Sequence, residues 1–177
     1  MEFKQVVLYG GAILLHIPKD FDDISKIRDV PDNQEVFVDN NSECSIIIEL
    51  LDETNNNDNH PAEYYFNDIS KCNGSEITEI LVSDPLVNMS DNFSFSKCFG
   101  TQLLEKKYNG IQEKEELELH VLVIRILSKK TDIVISFNNP RKMNQVGEKT
   151  GYCRTKIEET LNKMLETLEI VDYNLFI

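Results

Sequence analysis

Residues 117–137 constrain this chain more than any other stretch. Leu117, Leu119, Val121, Val123 and Arg125 alternate with Glu118, His120, Leu122, Ile124 and Ile126, the two-residue period of an extended strand. Ser128 to Thr131 turns the chain, and Asp132-Ile133-Val134-Ile135-Ser136-Phe137 returns it. Two such runs joined by a short polar turn form an antiparallel hairpin. Val121 to Ile124 is expected to be deeply buried.

A second strand fits beside such a hairpin. Ser45 to Leu51 contains Ile46-Ile47-Ile48, β-branched on both faces, which reads as a central strand covered on two sides. Glu35 to Val38 is a further extended run, joined to it by the polar loop Asp39 to Glu43. Ala12 to Ile17 is a mostly apolar strand after the turn Leu8-Tyr9-Gly10-Gly11, and Pro18 ends it. Glu76 to Val87 and Phe99 to Tyr108 read as strands around Ser90 to Ser96, a Ser/Asn/Asp-rich loop expected to be mobile.

Two longer helices are expected. Ala62 to Cys72 follows Pro61, a residue suited to a first turn, with Tyr65, Ile69 and Cys72 at helical spacing. Lys156 to Leu168 carries the clearest stripe: Cys153, Ile157, Leu161, Met164, Leu165 and Leu168 recur every three or four residues. Strands separated from helices in this order imply an α+β fold with a mainly antiparallel sheet. The 177 residues suit one domain, 1–177, able to bury about 70% of its unfolded surface without metal or disulfides.

The corner Val30-Pro31-Asp32-Asn33-Gln34-Glu35-Val36-Phe37 joins a short helical pattern, Ile24 to Arg28, to the first strongly apolar strand. Pro31 fixes its own φ and holds Val30 out of the helical region, so the helix must stop there. Asp22 or Asp23 supplies its cap. Asp32 and Asn33 are turn formers, and the corner holds Asp32, Gln34 and Glu35 at the mouth of the sheet.

Charge narrows the partner. The formal net charge is −13, from 31 Asp and Glu against 18 Lys and Arg. Such a chain repels phosphate backbones and anionic lipid surfaces and favours a basic protein surface. Neither a nucleic acid nor a membrane is an expected partner, and no apolar run approaches bilayer length.

Chemistry is sparse. Cys44, Cys72, Cys98 and Cys153 are widely spaced, unlike structural zinc ligands, and are expected as free thiols. Asp52, Thr54, Asn56, Asp58, His60 and Glu63 fall at the ligand positions of a twelve-residue calcium loop. Asn57 stands where that loop needs glycine, and a strand precedes it, so no metal is expected. Glu116, Glu118 and His120 share a strand face as a conceivable His–carboxylate dyad, but no nucleophile motif accompanies them and a solvated strand end accounts for them. His16 reads as structural. No Walker loop, dinucleotide fingerprint or nucleophile elbow is present, so neither catalytic residues nor a cofactor is expected.

Val30 to Phe37, with Leu8-Tyr9-Gly10-Gly11-Ala12 upstream and Ser45 to Leu51 downstream, resembles the Ran guanine-nucleotide release factor family. Tyr64-Tyr65-Phe66-Asn67-Asp68, Phe137-Asn138-x-Pro140 and the tail Asp172-Tyr173-Asn174-Leu175-Phe176 extend the likeness. The resemblance implies an antiparallel sheet of about six strands flanked by helices on both faces, as in PsbP-like α/β/α sandwiches, and an apolar tail that folds back. It implies a monomer of nucleus and cytoplasm that binds the GTPase Ran and promotes nucleotide release, a regulator of nuclear transport without catalytic chemistry of its own. Asp32 and Glu35 match the family's acidic Ran-binding residues, and Asp23 matches in a different setting. Asn33 and Gln34 would add neutral hydrogen bonds. The alternatives are an acidic module for another basic protein, or a hydrolase using His120 or His60 with carboxylates.

Overall fold

A computed structural model describes residues 1–25, 27–54, 59–75, 77–108, 111–141 and 151–176. In chain order the strands and helices are β1 (Phe3–Leu8), β2 (Ile13–Pro18), β3 (Phe21–Asp23), β4 (Gln34–Asp39), β5 (Ser45–Asp52), α1 (Pro61–Cys72), β6 (Ile77–Ser83), β7 (Val87–Asn88), β8 (Phe93–Tyr108), β9 (Ile111–Ile126), β10 (Thr131–Arg141), α2 (Arg154–Thr167) and β11 (Glu169–Ile170).

The predicted hairpin is β9 and β10, antiparallel from Thr131 opposite Ile126 to Arg141 opposite Glu116. Ile46 to Ile48 lies on β5, which pairs with the far edge of β10, Ile135 opposite Ile48. The main sheet runs β3-β4-β5-β10-β9-β8-β6, with β7 also against β8. A smaller sheet has the order β1-β2-β11. Every pairing is antiparallel, so the α+β class with a mainly antiparallel sheet is the fold.

Strand periodicity sends alternate residues to opposite faces. On one face Leu122, Ile124, Ile133, Ile135, Phe137, Ile46 and Ile48 form a core closed by Ile157, Leu161 and Met164 of α2. Leu8, Ile13, Leu15 and Ile17 of the smaller sheet enter the same core, as does Phe176 from the folded-back tail. On the other face Leu119, Val121, Val123 and Val134 pack beneath Ala62, Tyr65 and Phe66 of α1. One helix therefore covers each face, and the smaller sheet shares the α2 side. Gly100 permits the approach of α1 to β8: a side chain there would run into the Glu79 carbonyl and sit 2.7 Å from the Phe66 ring.

One buried ion pair lies under α1. Arg125 and Asp132 are opposite residues of the hairpin. Nε and Nη2 of Arg125 donate to Oδ1 and Oδ2 of Asp132 at 2.7 and 2.8 Å, and the Tyr65 hydroxyl donates to Asp132 Oδ2 at 3.0 Å. The fork geometry and the extra donors offset the desolvation of both charges.

Several expectations change. Ile24 to Arg28 is a single turn rather than a helix: the Ile27 and Arg28 amides both donate to the Ile24 carbonyl, at 2.9 and 3.0 Å. One turn fixes several dihedrals for little hydrogen bonding, and Pro31 blocks extension. Ser90 to Ser96 is not a loop throughout, because Phe93 to Ser96 begins β8. Phe93 and Phe95 face the α2 core, while Ser94 and Ser96 are wholly buried on the opposite side. Ile47 is only half-buried, whereas Ile46 and Ile48 are fully buried. The strand expected at Glu76 to Val87 divides into β6 and β7. The return strand expected to end at Phe137 continues to Arg141 as β10. Cys72 and Cys153 are exposed, so neither belongs to its helix's buried stripe. No helix among the described residues is long and apolar enough to cross a membrane.

Candidate functional site

Pro31 to Gln34 closes as a turn, with the Gln34 amide donating to the Pro31 carbonyl at 2.9 Å. Asn33 then continues the β4–β5 ladder: its carbonyl accepts from the Leu50 amide at 2.9 Å, and its side chain donates back to the Leu50 carbonyl at 3.4 Å. Asp32 is exposed at the tip. The turn chemistry of Pro31, Asp32 and Asn33 thus sets where β4 begins.

From there side chains alternate. Gln34 points to the α1 side, where Nε2 donates to Glu49 Oε1 at 2.6 Å. Burial raises the Glu49 carboxyl above the ordinary glutamate value; the Gln34 bond opposes this and the charge of Asp68 adds to it. Glu35 points to the opposite side, where Oε1 accepts the Tyr9 amide at 2.7 Å. Asp23 sits opposite Phe37, so it shares a face with Glu35 one register step away. Asp23 Oδ1 also accepts the Ser25 amide at 2.8 Å, capping the turn as expected. Asp22 instead binds Lys4 Nζ at 2.9 Å and Asn40 at 2.8 Å.

Tyr9 is the residue that sequence reasoning missed. Its φ is +50°, followed by Gly10 at +66° and Gly11 at +104°. That run of left-handed backbone turns the Tyr9 amide toward Glu35, at a conformational cost that Gly10 and Gly11 avoid. The Tyr9 hydroxyl lies 2.9 Å from the Ile48 carbonyl and 3.2 Å from the Asn33 carbonyl. One side chain therefore holds the turn through Asn33 while its own amide holds Glu35. Burial first, then the charges of Glu35 and Glu49, push the Tyr9 phenol well above its ordinary value, so it stays a donor. An aromatic before paired glycines was the available signal.

The structure brings Glu35 and Asp23 onto one face across two strands, sends Gln34 to the other face toward Glu49, and places Asp32 exposed at the outer end of the turn with Asn33. No cluster able to hold a metal accompanies them among the described residues. What the corner offers is anionic: carboxylates at fixed positions, ready to accept charge-assisted hydrogen bonds.

The histidines sit elsewhere. His120 and Glu118 are buried rather than a solvated strand end. His120 stacks on Phe99 with ring centres 4.3 Å apart, and its Nε2 lies 3.4 Å from Glu118 Oε1. Glu118 Oε2 accepts from Asn139 at 2.9 Å and from Arg141 Nε at 2.6 Å. Burial raises the Glu118 carboxyl, but the His120 bond and the Arg141 charge outweigh it and hold it below the ordinary value. The nearby Cys44 thiol donates to Asn139 at 3.1 Å and is pushed up by burial, the reverse of what a nucleophile needs. His60 precedes α1, with Nδ1 3.1 Å from Ser83 Oγ. Asn56 and Asp58 of the calcium-like pattern lie outside the described residues.

Residues 6–140 match the family model described as Ran-interacting Mog1 protein, a span that includes the whole corner. A Ran guanine nucleotide release factor of Danio rerio is 31% identical over 180 residues, covering 96% of this chain and 97% of that protein. The crystal structure of the Saccharomyces cerevisiae Ran-binding protein Mog1p superposes with a TM-score of 0.78 at 27% identity, over 100% of both chains. A cyanobacterial PsbP shares the fold alone, with a TM-score of 0.56 at 8% identity over 95% of this chain and 92% of that one.

Proposed function

This chain belongs to the Ran-interacting Mog1 family, and on that premise we propose that it binds the GTPase Ran through the acidic corner and promotes release of its guanine nucleotide. The observation that carries the reading is the corner itself. Asp32 is exposed, and Glu35 is held by the Tyr9 amide on a turn that the Tyr9 hydroxyl also fixes. A carboxylate already oriented loses little side-chain freedom on binding, so more of each charge pair appears as affinity.

Asp32 and Glu35 accept hydrogen bonds from lysine or arginine side chains of Ran, with Asp23 beside them and Asn33 and Gln34 supplying neutral bonds. Pairing with those basic side chains perturbs groups that otherwise hold the nucleotide's phosphates or magnesium, and so loosens the nucleotide. The chain performs no bond chemistry in this scheme; it acts as one domain and as a monomer, in the nucleus and cytoplasm, to regulate transport between them. The net charge of −13 speeds encounter with a basic partner.

The test is Ran loaded with a fluorescent guanine nucleotide. Wild-type protein should accelerate loss of the signal, and Asp32→Lys/Glu35→Lys should abolish both binding and release. Glu158→Lys/Glu159→Lys on α2 changes net charge equally at another face and should retain both. Equal loss from the two double variants would mean that overall acidity, not the corner, drives the association. Failure of the folded wild-type protein to bind Ran would leave an acidic module for a different basic protein.

A further inference from the structure

The sheet face opposite Glu35 carries a feature that the acidic corner leaves unused. Val36 and Val38 of β4 and Ile47 of β5 point to the side covered by α1 elsewhere, but α1 packs over β6, β8 and β9 and leaves these three half-buried. The segment before β4 arches beside them instead. Ile24, Val30 and Pro31 form a wall, and Val36, Val38 and Ile47 form the floor, of a groove of about 330 Å³. Ile27, in the same segment, is 86% exposed, the most exposed large apolar side chain among the described residues.

The surroundings are anionic. Asp29 and Arg28 both line the groove, Asp32 follows Pro31 of its wall, and Asp22, opposite Val38, shares its face, whereas Asp23 and Glu35 point to the other face of the sheet. Glu49 adds another on the groove's side, bonded to Gln34 at its edge. An apolar floor within a rim of four carboxylates and one guanidinium suits one kind of occupant: an aliphatic or aromatic side chain flanked by lysine or arginine. A second copy of this chain would set acid against acid, which opposes self-association. Apolar anchors in desolvated pockets, rimmed by polar groups, dominate the energy of such contacts.

We propose that this groove is the apolar half of the partner-binding surface, receiving a hydrophobic side chain that projects from the basic surface of Ran while Asp32, at the tip beside Pro31, pairs with a charge next to it and Glu35 takes another across the sheet edge. This rests on the Ran reading above and extends it. The corner selects and steers the partner; the groove holds it, and Ile27, exposed on the segment that forms its wall, adds apolar contact.

Methyl-labelled isoleucines test it directly. On addition of Ran, the signals of Ile24, Ile27 and Ile47 should shift, while those of Ile69 and Ile170, on other faces, should not. Val36→Thr/Ile47→Thr keeps β-branching and charge but makes the floor polar, and should raise Kd roughly tenfold, with Ile27→Ser raising it severalfold. Ile27→Ser removes only an exposed side chain, so together with the methyl signals it decides the matter should the floor variant fail to fold. The proposal is overturned if wild-type protein binds Ran and Asp32→Lys/Glu35→Lys does not, yet the three isoleucine signals stay still and Ile27→Ser binds normally. Absence of any Ran binding by wild-type protein overturns the Ran reading, and this inference with it.

Discussion

The centre and one end of the main sheet handle the same residue types in opposite ways. At the centre, β9 and β10 are covered on both faces, and Val121 to Ile124 are at most 1% exposed. Their charges are locked in pairs: Asp132 with Arg125, and Glu118 with Arg141 and His120. At the end formed by β3, β4 and β5, one face is covered and the other is open. Ile48 is buried while its neighbour Ile47 is not, and Asp32 stands in solvent. Carboxylates at the centre specify how strands and helix fit together; at the end Asp32 is exposed and Glu35 only partly buried. The residue type is uninformative until the covering layer is known.

The largest effect expected from this contrast is at the centre. Asp132→Ala leaves the Arg125 guanidinium, only 2% exposed, without its fork partner. It should cost about 3–5 kcal/mol by urea denaturation, the usual loss when one partner of a buried pair is removed, although Glu53 stays 3.6 Å from Arg125 Nη1. Asp32→Ala, exposed at the corner, should change stability by less than about 0.5 kcal/mol. Similar costs at the two sites would erase the distinction between centre and end.

The next test sits within one strand. Ile48→Ala empties a site wholly enclosed between β4, β10 and the α2 side, and should cost about 2–5 kcal/mol. Ile47→Ala trims a half-exposed side chain in an open groove, where water already has access, and should cost about 1 kcal/mol. Equal losses would mean that the groove face is closed in solution.

How much of this was legible beforehand follows from the range of each signal. The β9–β10 hairpin is local: its alternation and turn lie within about twenty residues, and periodicity suffices to find it. The α2 stripe at Ile157, Leu161 and Met164 is local in the same sense, and the corner's turn chemistry was visible because Pro31 and Asn33 carry it in their own backbone preferences. What escaped depends on partners distant in sequence. Nothing around Ile47 says that α1 stops short of it. Ser94 and Ser96 read as loop because serine is polar, yet both are buried opposite Arg125 and Val123, and Ser96 bonds the distant Ala62 amide and Asp84 carbonyl. Tyr9 reaches Glu35 across 26 residues and Ile48 across 39, and Glu118 meets Asn139 and Arg141 only once β9 and β10 are in register.

Acid titration probes the second locked carboxylate. The Glu118 carboxyl lies below its ordinary value in the folded protein. A depressed carboxyl contributes stability that is fully present above the unfolded value and is lost as pH falls through the folded one. Glu118→Gln should therefore be less stable than wild type near neutral pH, with the gap narrowing once pH drops below the ordinary glutamate range. A gap independent of pH would show that packing rather than charge is what Glu118 supplies.

The smallest effect separates position from charge at Glu35. The Tyr9 amide needs an acceptor, and Glu35 Oε1 provides it at 2.7 Å in a partly buried setting. Glu35→Ala removes that acceptor and should cost about 1 kcal/mol of stability, the usual penalty for a lost hydrogen bond of this kind. Glu35→Gln retains a carbonyl oxygen for Tyr9 and removes only the charge, so its stability should match wild type within about 0.5 kcal/mol. Binding should respond differently. If Ran's basic side chains read the charge, both variants lose affinity alike, by about 2 kcal/mol for a desolvated pair. Denaturation curves and Ran titrations on the same two proteins supply all four numbers. Should Glu35→Gln bind as wild type while Glu35→Ala does not, Glu35 acts by holding Tyr9 and the turn in place. The contrast between centre and end would then narrow, because a carboxylate at the open end would also be serving the fold, leaving Asp32 as the corner's exposed charge for a partner.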